Sequence, residues 1–257
     1  MRLRLAAPFD AAFKPVTAVR PLGPAAEVAA YRVSRCLGLD AVPPAISREF
    51  VASDIRTALD PESRQSWPAL RQRLGVADDA AVVRGAAIYW INDLTPVGLE
   101  KRGGLRLVRE WLHAGGAIAE ASRSLAASTS TMLAFDYLIG NFDRWSGGNV
   151  LGDARATRVY VRDHDLAFPV RMTEKLHRRL WQDLQHTERF SSRLYSALKR
   201  LSRDCVEREL ARDPAAARAP LLTARQLAGM FDRREALLSY IDSLIALHGE
   251  RDVLVFD

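Results

Sequence analysis

An apolar, helix-forming run that opens into a loop with its own Asp, Arg and paired Asn leaves this chain the fewest options. The stretch "AFDYLIGNFDRWSGGNVL" (134–151) leaves a helix expected over about 118–139 and passes Asn141-Phe142-Asp143-Arg144. It then crosses Gly147-Gly148 and reaches Asn149 before a short apolar piece. The chain has only three Asn, and two of them stand eight residues apart around that Asp-Arg. Such a loop aims one carboxylate at a substrate hydroxyl and one amide oxygen at a divalent metal. Phosphoryl transfer uses that pair. Asn, Asp and Gly also make ordinary capped turns, and the loop alone does not separate the two readings.

Three more places bear on the choice. Val159-Tyr160-Val161-Arg162 reads as a short strand running into Asp163-His164-Asp165-Leu166-Ala167-Phe168. An acid at a strand end, twenty positions after Asp143, completes a hard-oxygen site suited to Mg²⁺ or Mn²⁺ rather than Zn²⁺. His164 reads as a polar neighbour before it reads as a ligand, and Asp163 and Asp165 also suit a solvated turn. Upstream, Ala12-Phe13-Lys14-Pro15 sets a lysine inside an apolar strand, in a chain with 33 Arg and four Lys. A compact ammonium reaches phosphate oxygens as a point charge, which a planar guanidinium does not reproduce; a surface lysine on an edge strand is the plainer alternative. Glu27, among small apolar residues of the next helix, needs a partner if it faces inward, and Lys14 is the nearest. A first-turn Glu favoured by the helix dipole is the plainer alternative there.

Around these places the chain reads as two lobes. Leu3–Leu5 and Ala11–Val16 are expected as strands with Pro8-Phe9-Asp10 as the turn between them, and Ala25 to Leu37 as a helix stopped by Gly38. Residues 46–51 are expected as a strand, 53–81 as a polar excursion with a short helix near Trp67–Leu74, and Val82–Ile91 as β-rich chain. Asn92 to Pro96 ends that segment, so the boundary falls between an N-terminal lobe, 1–95, and a mainly helical C-terminal lobe, 96–257. Beyond it come a helix near 105–113, a Gly115-Gly116 break and the helix of 118–139. A turn at Leu151-Gly152-Asp153, the strand of 158–161 and further helix follow. That last stretch includes Ser239–Leu247 and is interrupted by an Ala/Arg/Pro loop at 212–220.

Composition excludes little. A net charge of +6 raises the question of nucleic acid, but the basic residues are scattered without interleaved aromatics, so no nucleic-acid partner is expected. No run approaches the ~18 apolar residues of a membrane span. No signal peptide is visible, so a cytoplasmic chain is expected. Cys36 and Cys205 are too few for a disulfide framework, enough for one bridge, and silent about redox compartment.

The order is therefore Lys in a strand, Glu in the next helix, a β-rich segment ending in a link, then helix, D-x5-N loop, strand and acid. That is the layout of protein-kinase-like enzymes. Phe13-Lys14-Pro15, "AEVAAYRVSRCLGLDAVPP" (26–44), "FDYLIGNFDR" (135–144) and "RDHDLAF" (162–168) resemble the secretory-pathway atypical kinases. These are the Golgi casein kinase and its four-jointed and xylosyl-kinase relatives, with bacterial kinases of that type. More distantly the loop is similar to those of phosphatidylinositol 3-/4-kinases and HipA toxins. The resemblance covers roughly 11–170 and implies an α+β, two-lobed fold, with a small β-rich N-lobe and a larger helical C-lobe. It implies an ATP-dependent kinase using Mg²⁺ or Mn²⁺ and a hydroxyl acceptor, a protein Ser/Thr or a sugar. Lys14 would then contact the nucleotide phosphates, with Glu27 in the Lys and metal network and Tyr89, Trp90 and Ile91 beside the adenine. Asp143 would be the catalytic aspartate, and Asp163 and Asn149 the metal ligands.

The chain also departs from that pattern. No glycine precedes Gly23, so no glycine-rich phosphate cover stands before Lys14. The Asp143–Asn149 interval is one residue longer than the usual D-x4-N, and His164-Asp165 replaces the family's Asn-Gly. A nucleotide- or protein-binding pseudokinase is the alternative. The four disulfides and secretion signal of the animal members are not seen, which fits a bacterial-style relative.

Overall fold

The computed structural model of the protein describes residues 1–4 and 10–257. Two strands, β1 (Arg2–Arg4) and β2 (Asp10–Pro15), precede helix α1 (Gly23–Cys36) and strand β3 (Ala45–Val51). Three short helices, α2 (Ala52–Ala58), α3 (Pro61–Gln65) and α4 (Trp67–Leu74), lead to β4 (Val82–Tyr89). The helical part holds α5 (Arg102–Leu112), α6 (Glu120–Ile139), α7 (Glu174–Leu184), α8 (Ser192–Arg200), α9 (Arg203–Ala211), α10 (Ala224–His248) and α11 (Glu250–Val253). Three two-residue strands, β5 (Thr95–Pro96), β6 (Leu151–Gly152) and β7 (Val159–Tyr160), and a 3₁₀ turn at Pro214–Ala217 complete it. Among the described residues no helix is long and apolar enough to cross a membrane.

The N-terminal sheet is antiparallel in the order β1-β2-β4-β3, with Lys14 paired to Ala86 and Ser47 opposite the same alanine. Successive side chains leave a strand on opposite faces, and β2 uses both. Phe13, with no exposed surface, enters an outer cluster with Ala52, Ile55, Trp67, Leu74 and Val83. Lys14 falls on the other face, against α1. The main core runs from Val28, Ala29 and Val33 of α1 through Ala86 into the α6 and α10 bundle.

Several boundaries differ from expectation for local reasons. The excursion over 53–81 holds the expected helix at Trp67–Leu74, and α2 and α3 besides; Asp60 caps α3 through the Ser63 N–H at 2.9 Å, and Pro61 sits in its first turn. Leu151-Gly152 is not a turn but strand β6, paired to Leu151↔Tyr160 and Gly152↔Val159. The turn follows it, held by Asp153 accepting from Thr157 N at 2.7 Å. The 212–220 loop contains the 3₁₀ turn. The closing helix is longer than 239–247, because a capping box at Thr223 and Gln226 starts it at Ala224. The expected Pro8-Phe9-Asp10 turn and the end of the Leu3–Leu5 strand fall on residues outside those described.

Candidate active site

The lysine and the glutamate meet. Lys14 Nζ donates to Glu27 Oε1 at 2.5 Å and also reaches Asp163 Oδ1, so residues far apart in sequence share one ammonium. Pro24 starts α1, and the small residues Ala26, Ala29 and Ala30 let it pack close enough to the sheet for Glu27, 2% exposed, to face inward. On its far side Glu27 accepts from the His164 backbone N–H at 2.9 Å and lies 3.3 Å from His164 Nδ1. Burial pushes the Glu27 carboxyl upward, but His164 and then Lys14 overcome it and hold it at about 2. Burial likewise disfavours the charged form of Lys14, and the two carboxylates reverse the balance so that its proton is held more tightly than usual.

Asp163 takes the left-handed backbone conformation, φ 65°, which a non-glycine residue keeps only where its surroundings impose it. His164 imposes it in part: its ring is buried edge-to-face on Phe135, centroids 6.1 Å apart, and its backbone is tied to Glu27. The histidine is thus a neighbour of the glutamate. Asp165 instead lies 3.3 Å from Arg20 Nε.

The Asp143 loop is pinned from beneath. Helix α6 stops at Gly140, φ 72°, where a Cβ would come within 2.9 Å of Pro169 Cδ. One turn before that stop, buried Asp136 accepts two bonds from Arg144, Nε at 2.7 Å and Nη2 at 2.9 Å, and one from Asn141 Nδ2 at 2.9 Å. Arg144 Nη1 also donates to the carbonyls of Asn149 and Arg162, at 3.0 and 2.5 Å, tying the loop to the strand end that carries Asp163. Neither Asp136 nor Arg144 stood among the expected site residues. The signal available was two charges eight positions apart on either side of the helix stop at Gly140, and Asn141 belongs to this support.

With Arg144 committed to Asp136, Asp143 is left underpartnered: its Oδ1 is buried without a hydrogen bond. Burial first, then the nearby Asp163 charge, push the Asp143 carboxyl upward, partly offset by Arg144. Asn149 donates through Nδ2 to the Asp143 carbonyl at 3.1 Å and to Ser146 Oγ at 3.2 Å. Its backbone N–H and that of Gly148 go to Glu100, at 3.0 and 3.1 Å. No described hydrogen bond occupies its Oδ1.

A cavity of about 210 Å³ lies between sheet and helical body. Lys14, Glu27, Arg162 and Asp163 are in its lining, with Ala12, Pro43, Ile88, Tyr89, Trp90, Ile91, Asp93, Leu94 and Leu151. The Tyr89 and Trp90 N–H groups go to Pro44 O and Asp10 O, at 2.8 and 3.0 Å, whereas no described bond takes the Ile91 N–H. Asp143 and Asn149 are not in the lining. They adjoin it through the Arg144 links and the coupling of Asp143 to Asp163. Among the described residues no three His, Cys, Asp or Glu side chains converge as a metal cage. The donors at hand are hard oxygens, the Asp163 carboxylate and the Asn149 amide, with the underpartnered Asp143 beside them. One or two protein oxygens completed by a ligand's phosphates suit Mg²⁺ or Mn²⁺ and not Zn²⁺.

No family model matches the chain, and no curated protein does. Solved structures do. Hydra Fam20, determined with a sugar, matches with a TM-score of 0.69 at 18% identity, over 100% of this chain and 84% of its own. The Golgi casein kinase with Mn and ADP bound gives 0.69 at 14% identity, over 97% of this chain and 71% of that one. At this identity the likeness is one of fold. The chain has the α+β, two-lobed fold of the Fam20-type atypical kinases, as the motif order implied.

Proposed function

We propose that the protein is an ATP- and divalent-metal-dependent kinase that moves a γ-phosphoryl group to a hydroxyl of a protein or a sugar. The observation that carries this reading is the Lys14–Glu27–Asp163 network, in the lining of an apolar cavity next to an underpartnered Asp143. Adenine would lie between Ala12, Ile88 and Leu151, with the Ile91 N–H, which no described residue takes, at its edge. Lys14, oriented by Glu27, would donate to phosphate oxygens. Asp163 and Asn149 Oδ1 would hold the metal, which when bound neutralises charge on the phosphates. The acceptor oxygen bonds to the γ-phosphorus as the bond from that phosphorus to the ADP oxygen breaks. ADP leaves with the electron pair, and the hydroxyl proton passes to Asp143, whose raised carboxyl suits a proton acceptor. Relatives of the same fold, solved with Mn and ADP or with a sugar, support the choice of ligands.

Thermal unfolding with ATP, with and without Mg²⁺ or Mn²⁺, tests the nucleotide site. A ligand bound only by the native state at a hundred times its Kd stabilises by about 2.7 kcal/mol. That metal-dependent rise is expected in the parent and not in Asp163→Asn. Asp143→Ala is expected to keep the rise and to lose transfer of labelled phosphate by about 10²-fold or more. The absence of any glycine before Gly23 favours a second reading, a pseudokinase. It predicts the nucleotide-dependent rise without transfer to any protein or sugar acceptor.

A further inference from the structure

At the opposite end of α6 from the Asp143 loop, a second cavity, about 380 Å³, is lined by three arginines and no carboxylate. Arg123 comes from the first turn of α6, Arg189 from the segment after α7 and Arg251 from α11. Sixteen residues of one helix separate Arg123 from Ile139, roughly 24 Å at the helical rise, so the two cavities are distinct.

The charges in this cavity are unbalanced. Among the described residues none of the three guanidiniums has a carboxylate within salt-bridge distance. Arg123 Nη2 donates to the Val255 carbonyl at 2.6 Å and Arg189 Nη1 to the Trp111 carbonyl at 3.2 Å, both neutral acceptors. Arg189 is 8% exposed, and its buried Nε has no partner. Burial and the nearby Arg123 both loosen its proton. Two carboxylates outside the lining, Asp252 and Glu188, oppose this, and neither stands within salt-bridge distance of Arg189. Glu188 is spent on the Ala114 N–H and His113 Nδ1, at 2.7 and 2.6 Å. A buried cation is costly unless it is paired, and here the fold supplies no pair.

We infer that this cavity is a binding site for a phosphate or sulfate group, free or as a monoester. Guanidinium forks match the planar spacing of two oxygens on such a group. Three positive charges suit a dianion better than a single carboxylate. Ile118, Leu254 and Val255 beside the arginines form an apolar wall for the carbon part of an ester. The site goes beyond the kinase reading and does not rest on it.

Isothermal titration with inorganic phosphate, at constant chloride, tests it on the full chain. The parent is expected to bind one phosphate. Arg251→Gln removes an exposed side chain that has no partner among the described residues and should weaken binding about tenfold, the effect of losing one charge-assisted pair. Arg123→Gln should do the same. A parallel titration with glycerol 3-phosphate separates the sources: tighter binding than inorganic phosphate marks an ester ligand, equal or weaker binding a free anion. No saturable phosphate binding by the parent overturns the proposal. So does binding that both variants leave unchanged, since the phosphate would then sit elsewhere, the nucleotide cavity included.

Discussion

Glu27 lies almost wholly out of water yet stays ionised, because the His164 N–H and Lys14 Nζ both donate to its Oε1 and His164 Nδ1 lies 3.3 Å from its Oε2. The sign of its pH effect follows. Its carboxyl is held near about 2 against an ordinary 4.5, so the stability it contributes is complete above about 4.5 and is lost as pH falls toward 2. Glu27→Gln leaves the half-buried Lys14 ammonium with Asp163 alone and the buried His164 imidazole short of a partner, and should cost about 1–3 kcal/mol at neutral pH. Urea unfolding from pH 7 to 3 checks both statements. The gap between parent and variant should narrow below pH 4.5, and a gap constant across that range would rule out the ion-paired description. The pairing of Glu27 with Lys14 was readable from a glutamate among small apolar residues. Its pairing with His164 was not, because nothing in a sequence says which loop will fill the far side of a helix.

Strand β4 is one of the two inner strands of the sheet, and Gly85 is where it admits β2 closely. A Cβ there would stand 2.3 Å from the Lys14 carbonyl and 2.7 Å from the Phe13 ring. Gly85→Ala must therefore separate β2 from β4, with an expected loss of about 1–3 kcal/mol. Because Lys14 sits on the displaced strand, the metal-dependent nucleotide shift should shrink as well; an alanine variant with parental melting temperature and nucleotide shift would refute the close approach. Period and turn chemistry made most elements legible, among them the strand around Lys14 and the Gly38 stop of α1, whereas the Thr223–Gln226 cap went unread. They failed where the driving force was not local. Within 53–81 the helix at Trp67–Leu74 was legible but α2 and α3 have the polar surface of a loop, and Ile55, Trp67 and Leu74 together fold the segment onto the outer face of the sheet.

The N-terminal sheet and the helical body are joined at several points by the segment around α9. Cys36 at the end of α1 is bonded to Cys205 on α9, 169 residues away. Ser47 N donates to Asp213 at 2.9 Å, and Glu49 pairs with Arg218. These ties hold the helix that carries Glu27 to the helical body. Closing a loop of that length constrains the unfolded chain, and Cys36→Ser should cost about 2–4 kcal/mol, read as a lower melting temperature that reducing agent reproduces in the parent. A disulfide is rare in the cytosol, whereas a cytoplasmic chain was the expectation. Thiol titration of protein taken directly from its cell discriminates: no free thiol supports the bridge as the native state, and two free thiols would place the tie on the noncovalent contacts alone.

Local chemistry carried much of this protein in its amino-acid order: strands and helices by their periods, turns by Gly, Asn and Asp, and the sequence of Lys, Glu, Asp, Asn and Asp that implied the kinase layout. Tertiary packing decided the rest. It brought Asp163 to Lys14, buried Arg144 on Asp136 beneath the loop, turned His164 onto Glu27, and left Arg123, Arg189 and Arg251 lining one cavity. The reason is physical: periodicity and turn preference act over a few residues, whereas the burial of a charge, and the partner that makes it tolerable, depend on segments meeting from across the chain.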